Sequence, residues 1–355
     1  MQNSGYLDCD THFTDHPREL WESIAGEVDL PVLPEILDHE GRSRLRIGDE
    51  LYPKPAGRGQ GNPKGLGHLI GPGADDDRRA FMAEHGISAA VLQPGFVGLS
   101  VQSVADGRVR RGLLEGYNLL AKRSCERSGL DLRWAALLSA EDPEWSAGLL
   151  EQYRDDPNLV GAVVRPTART AQDRLSGKSF TSVLTALAEQ RLVLFVHGGT
   201  GCHQWSPLAD AYEDYTLTHA FGHMGEHMIA LTDLLTRGDG LPPGLRIVML
   251  ESGVSWIPGF LGLLDSHVRR LSSSDTAPSE VFAQHFAVVP DPDERHVRWA
   301  CEAIGRDNIL FGSDYPHWDT VPSGKWASTL ADFVDKDVLY TNTRRVVPRL
   351  AGKGA

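Results

Sequence analysis

The run YLDCDTH, residues 6 to 12, decides how the rest of the chain is read. Side chains of a strand alternate between its faces, so Asp10 and His12 point the same way, about 7 Å apart along the chain, with Asp8 deeper on the same face. That spacing suits chelation of a metal ion. It also suits a polar turn at the end of a strand, and only the remainder of the chain separates the two.

Other short apolar or β-branched runs follow: 87–93 (ISAAVLQ), 132–139, 159–166, 191–199 (RLVLFVHGG), 245–253 (LRIVMLESG) and 308–314 (NILFGSD) read as buried strands. An eighth strand is weaker, and HFAVV at 285–289 is the best candidate. Between the strands lie helical patterns at 110–129, 182–190 and 293–305, several closed by glycine in the position of a C-cap. The order is βαβα throughout. It predicts an α/β fold with a mainly parallel sheet, closed into a (β/α)8 TIM-like barrel rather than left as an open doubly wound sheet.

The chain has 355 residues, 41% of them hydrophobic and 23% charged, and carries no apolar run of membrane-spanning length. No internal repeat or linker divides it, so residues 1–355 are expected to form a single domain. Residues 28–77 break the rhythm. They are rich in Gly and Pro, show no clear period, and follow the first strand, which places them as a lid or specificity loop over the C-terminal face of a barrel. Gly57, Gly59 and Gly61 do not follow a strand and open a helix, and SGKS at 176–179 lacks the glycine a P-loop requires.

A formal net charge of −13 works against sequence-independent attraction to nucleic acid or an anionic membrane. Cys9, Cys125, Cys202 and Cys301 are far apart and without CxxC spacing, as expected of reduced thiols. The opening residues lack a basic and an apolar signal region, so a cytoplasmic enzyme acting on a small molecule is expected. Helix 254–271 is apolar enough for a homodimer.

Strand one ends in Asp10 and His12, LVLFVHGGT in His197, IVMLESG in Glu251 and ILFGSDYPH in Asp314. In a parallel barrel these ends converge on one pocket, and ionisable groups are rarely buried unless paired or bound to metal. In THAFGHMGEHMIAL, His219, His223 and His227 stand at i, i+4 and i+8 of a predicted helix. For His227 the packing role is the preferred reading. If His219, His223 and Glu251 converge, they are positioned to hold a second ion.

The motifs DxDTH, FVHGGT, LVGAVVRP, LRIVMLESGVSWIPGFLGLLDSH, ILFGSDYPH and the late NTRR together resemble the amidohydrolase-related family of metal-dependent hydrolases and decarboxylases. That family includes aminocarboxymuconate semialdehyde decarboxylase and γ-resorcylate decarboxylase. The resemblance runs from about residue 6 to 350, weakest over 28–77. It implies Asp10, His12, His197 and Asp314 as metal ligands. His219 aligns with a position where the family often has histidine, which implies a substrate-binding or proton-transfer role. There are two departures: several of the decarboxylases have His-x-His on the first strand, and their catalytic histidine after the sixth strand stands here as Glu251.

Two histidines and two aspartates suit a divalent cation, with Zn expected and Mn or Fe compatible, as one ion or two. Asp314, His219 and Glu251 are the candidate catalytic groups. His317 is placed beside Asp314, His203 in the pocket, and Arg165 as a group for a substrate carboxylate, with Arg42, Arg44, Arg46 and Lys54 in or near the lid. The expected reaction is non-oxidative decarboxylation, or hydrolysis, of a small carboxylated molecule. The alternatives are a di-metal iron or manganese oxygenase on the same barrel, and an inactive paralogue subunit.

Overall fold

The computed structural model describes residues 5–39, 42–52, 74–170, 172–199, 215–237, 240–271, 276–317 and 319–350. Its strands in chain order are β1 (Tyr6–His12), β2 (Glu35–His39), β3 (Arg42–Ile47), β4 (Glu50–Tyr52), β5 (Ile87–Gln93), β6 (Leu132–Leu137), β7 (Leu159–Val164), β8 (Val193–His197), β9 (Arg246–Leu250) and β10 (Phe286–Val288). Seven of them form one parallel sheet in the order β1-β5-β6-β7-β8-β9-β10. All of β7 and β8 is buried, as expected of a parallel sheet covered on both faces.

The ring is closed by the segment from Ile309 to Tyr315. Leu310 N donates to Val288 O at 2.9 Å on one side, while Cys9 N donates to Phe311 O (2.9 Å) and Asp314 N to Asp10 O (2.7 Å) on the other. The eighth position of the barrel is thus filled. Its segment was expected as a regular strand and instead carries only isolated bridges, Thr11 to Tyr315 and Val288 to Ile309. Asp8 accounts for part of this, because its carboxylate takes the Ser313 N–H (3.0 Å) and hydroxyl (2.6 Å) across the seam. The weakly signalled strand at 285–289 is β10.

The helices dock on the outside through apolar stripes. In Gly107–Arg127 the buried face includes Leu113, Leu114, Tyr117, Leu120 and Ala121, and Asp106 caps the first turn by accepting from the N–H groups of Arg108 and Val109. Each fully buried leucine there is worth about 1.5–3 kcal/mol. No helix among the described residues is long and apolar enough to cross a membrane.

Part of 28–77 is more ordered than its composition suggests. β2, β3 and β4 form a three-stranded antiparallel sheet in which Leu45, Ile47 and Tyr52 are buried. Gly48 (φ +60°) and Asp49 make the two-residue turn from β3 to β4, a hairpin signal obscured by the surrounding Gly and Pro. Lys54 and the GRGQG run lie outside the described residues.

Candidate metal centre

β1 delivers its polar side chains where the alternation predicts, and Asp8, Asp10 and His12 are all buried. Asp8 is the deeper group, tied to Ser313 and to Asp10 N (3.0 Å), and burial pushes its carboxyl up to about 7 against those hydrogen bonds. His12 Nδ1 lies 2.6 Å from Pro94 O, and His197 Nδ1, at the end of β8, lies 2.7 Å from Gly198 O. A carbonyl only accepts, so each Nδ1 carries the proton and each Nε2 presents a lone pair.

Those lone pairs face carboxylate oxygens. His12 Nε2 is 3.6 Å from Asp10 Oδ1 and 3.0 Å from Asp314 Oδ1, and His197 Nε2 is 3.6 Å from the same Asp10 oxygen. Asp10 Oδ1, His12 Nε2 and His197 Nε2 are buried without a hydrogen-bond partner, and Asp314 Oδ1, also buried, meets His317 Nδ1 at 2.8 Å. Four acceptors pointing at one another are costly unless a cation lies among them. Donors about 2.1 Å from an ion stand roughly 3.0–3.4 Å apart, close to these separations. The residues present fit a divalent ion.

The electrostatics agree. Burial works against a charged His197, yet the Asp10 and Glu251 carboxylates push its imidazole up to about 9. His317 Nδ1 lies 2.8 Å from Asp314 Oδ1, and its ring stacks on His12 with centroids 3.8 Å apart. Burial opposes the charge on both partners, but the Asp314 carboxylate holds His317 well above the usual histidine range. The His317 and His12 imidazoles hold Asp314 well below the usual carboxylate range. Without a cation the surrounding carboxylates favour protons on His197 and His317 instead.

A second cluster adjoins the first. His219 and His223 lie on the helix Tyr215–Leu235, as the i, i+4 spacing predicts, with ring centroids 4.6 Å apart. Donor atoms of His219, His223 and Glu251 lie within 4.8 Å of one another, and so do those of Glu251, Asp314 and Asp319. Glu251 Oε2 stands 3.5 Å from both His197 Nδ1 and His223 Nδ1. A Cβ on Gly198 would sit 3.0 Å from His223 Nδ1, so the absent side chain lets helix and strand end approach. His227 turns into the core, with Nδ1 against His223 O (2.8 Å) and Nε2 against Val196 O (3.1 Å), as its packing role requires.

A family model described as Amidohydrolase matches residues 7–349. The chain belongs to the amidohydrolase family. It is an enzyme of that superfamily, and its barrel recurs in solved structures. A 2,6-dihydroxybenzoate decarboxylase from Rhizobium aligns with TM-score 0.71 at 19% identity, covering 98% of this chain and 99% of that one. A dihydroxybenzoic acid decarboxylase from Polaromonas, solved with manganese and 2-nitroresorcinol, aligns with TM-score 0.70 at 19% identity, covering 97% of each chain. A 5-carboxyvanillate decarboxylase from Novosphingobium aromaticivorans, solved with manganese, gives TM-score 0.68 at 18% identity, covering 98% and 97%. At such identities the likeness is one of fold. Curated proteins give no match.

Within this amidohydrolase one expectation changes and one residue is added. Arg165 is not offered to a substrate. It is buried, with Nη2 donating to both Glu226 carboxylate oxygens (2.7 and 2.9 Å) and Nη1 to Ser103 Oγ (2.9 Å), because a buried guanidinium must be paired. Asp319 was not anticipated. It lines the cavity with its Oδ2 3.7 Å from His219 Nε2, and burial, then the Asp314 and Glu251 charges, pushes it up to about 8. Its only sequence signal is its place five residues beyond Asp314. Arg44 is buried on β3, Arg46 pairs with Glu35 on β2, and His203 lies outside the described residues.

The cavity over these groups has a volume of ≈ 420 Å³ and is lined on its apolar side by Met224, Trp256, Val289 and Val321. That suits a ligand the size of a small aromatic acid.

Proposed function

We propose that this amidohydrolase is a divalent-metal-dependent decarboxylase of a small carboxylated aromatic, acting on a free metabolite in the cytoplasm. The observation that carries the reading is the grouping at the barrel's strand ends of Asp10 Oδ1, His12 Nε2 and His197 Nε2, buried and without hydrogen-bond partners, with Asp314 Oδ1 3.0 Å from His12 Nε2. The hydroxybenzoate and carboxyvanillate decarboxylases among its structural relatives support the substrate class, and the manganese in two of them supports a divalent ion.

Asp10, His12, His197 and Asp314 would hold the ion, which would supply Lewis-acid polarisation of substrate oxygens. Trp256 and Val289 give the ring an apolar wall. The Asp314–His317 pair keeps a proton beside the cavity. When the bond to the carboxyl carbon breaks, its electron pair passes to the ring carbon, which takes that proton while CO2 leaves. Water then restores the proton to the pair.

The test is CO2 release from a panel of ortho-hydroxybenzoates by protein loaded with Mn2+ or Zn2+, beside Asp314→Asn. Release that falls by about 100-fold or more in the variant supports the reading. Cleavage of hydroxybenzoate esters or amides assayed alongside, with no CO2 from any member of the panel, would replace decarboxylation with hydrolysis.

A further inference from the structure

Behind the ligand wall lies a buried guanidinium for which the reaction chemistry has no use. Arg78, on the helix Ala74–Glu84, is 5% exposed. Its hydrogen bonds go to a hydroxyl and a carbonyl rather than to a carboxylate: Nη1 donates to Thr11 Oγ1 and Nη2 to the backbone oxygen of His12. The guanidinium also lies 5.1 Å from the centroid of the Tyr315 ring. Phe81, three residues on in the same helix, stacks on that ring with centroids 4.2 Å apart. Burying a cation in this way is costly, and an apolar side chain would fill the same space at less cost if packing were its whole role.

The contacts of Arg78 join two stretches of backbone that each carry a ligand. β1 supplies Asp10 and His12, and the segment closing the ring supplies Asp314. The regular ladder gives way at this join: the pairing of β1 with β5 shifts between Asp8 and Thr11, and Thr11 meets Tyr315 in an isolated bridge. Tyr315 O is the meeting point, accepting the His12 N–H at 2.6 Å and the Thr11 hydroxyl at 3.1 Å. We propose that Arg78 is a positioning residue for the metal centre. Its two prongs hold Thr11 and His12, while its flat face and Phe81 hold Tyr315, which together fix the 3.0 Å separation of His12 Nε2 and Asp314 Oδ1. Alternation along the strand turns Thr11 away from the face that carries Asp10 and His12, so Arg78 grips the strand from behind. A lysine has no rigid fork with which to make both bonds. The inference rests on the metal site proposed above and adds to it the group that sets its geometry.

The experiment uses the full chain stripped with chelator and titrated with Co2+, with affinity read by competition against a chelator and ligand geometry by the visible d–d absorption. Arg78→Met, which keeps much of the length and loses the fork, is expected to bind Co2+ about 10–100-fold more weakly and to shift the visible bands. Thr11→Val removes one prong at constant volume, must shift the bands in the same direction, and decides the matter if Arg78→Met does not fold. Met82→Ala, at a buried residue of the same helix outside these contacts, should lower the melting temperature and leave affinity and bands as in the wild type. Folded Arg78→Met and Thr11→Val that bind Co2+ as the wild type does, or a Met82→Ala that shifts the bands as far as Arg78→Met, would overturn the positioning role and leave the metal site standing. A wild type that takes up no Co2+ would overturn both.

Discussion

Glu251 and Asp314 share a backbone conformation that side-chain-bearing residues avoid, with φ of +55° and +56°, and both sit at strand ends that face the same cavity. Each costs of order 1–3 kcal/mol, and such strain concentrates at functional sites. Replacing Glu251 by Gly removes the strain and one of the crowded carboxylates. The metal-free variant should melt a few degrees higher than the metal-free wild type while binding less metal. A lower melting point would show that the conformation carries no strain.

Gly312 packs against the first ligand. A Cβ at that position would come within 2.6 Å of Val289 Cγ1 and 2.8 Å of Asp10 Cβ. Gly312→Ala should therefore destabilise by about 1–3 kcal/mol and weaken metal affinity at least about tenfold by shifting Asp10. Gly148, inside a surface helix with nothing within 4 Å of its Cβ position, is the control: Gly148→Ala should stabilise by roughly 0.5–1 kcal/mol. Denaturant unfolding beside metal titration separates the two outcomes.

Glu226 links the helix that carries His219 and His223 to the end of β7 through Arg165 and the Thr167 hydroxyl (2.6 Å). Truncating it strands a buried guanidinium, so Glu226→Ala should cost about 3–5 kcal/mol by urea unfolding. A loss under about 1 kcal/mol would mean that the pair contributes little to holding that helix.

His16 is buried, and desolvation lowers its imidazole to about 4. Between about pH 6.5 and 4 the unfolded chain binds a proton there that the folded chain refuses, so this contribution to stability is lost as pH falls through that window. Against His16→Gln, the wild type should lose up to about 3 kcal/mol more on acidification from pH 7 to 4. Parallel pH profiles for the two proteins would contradict this.

What the sequence discloses follows the range of the interactions. Asp10, His12, His197, Glu251 and Asp314 are legible because each ends an apolar run, and a parallel barrel gathers such ends. The histidines at 219 and 223 are legible from helical spacing alone. Arg165 was read as a substrate group because its partner lies 61 residues away on another element, where no local pattern points. Asp319 acts through three-dimensional crowding with Asp314 and Glu251, and nothing in its neighbours announces that. The sheet of β2 to β4 was hidden because its buried Leu45 and Ile47 alternate with arginines, and the Gly and Pro beyond them dominate the composition.

The central claim is a metal centre at the strand ends, and the most direct measurement is elemental analysis of protein purified without added metal, with His12→Ala alongside. The account predicts at least one equivalent of divalent metal per chain in the wild type and a loss of about one equivalent in the variant. A wild type with less than about a tenth of an equivalent that takes up none on dialysis against Mn2+ or Zn2+ would contradict it.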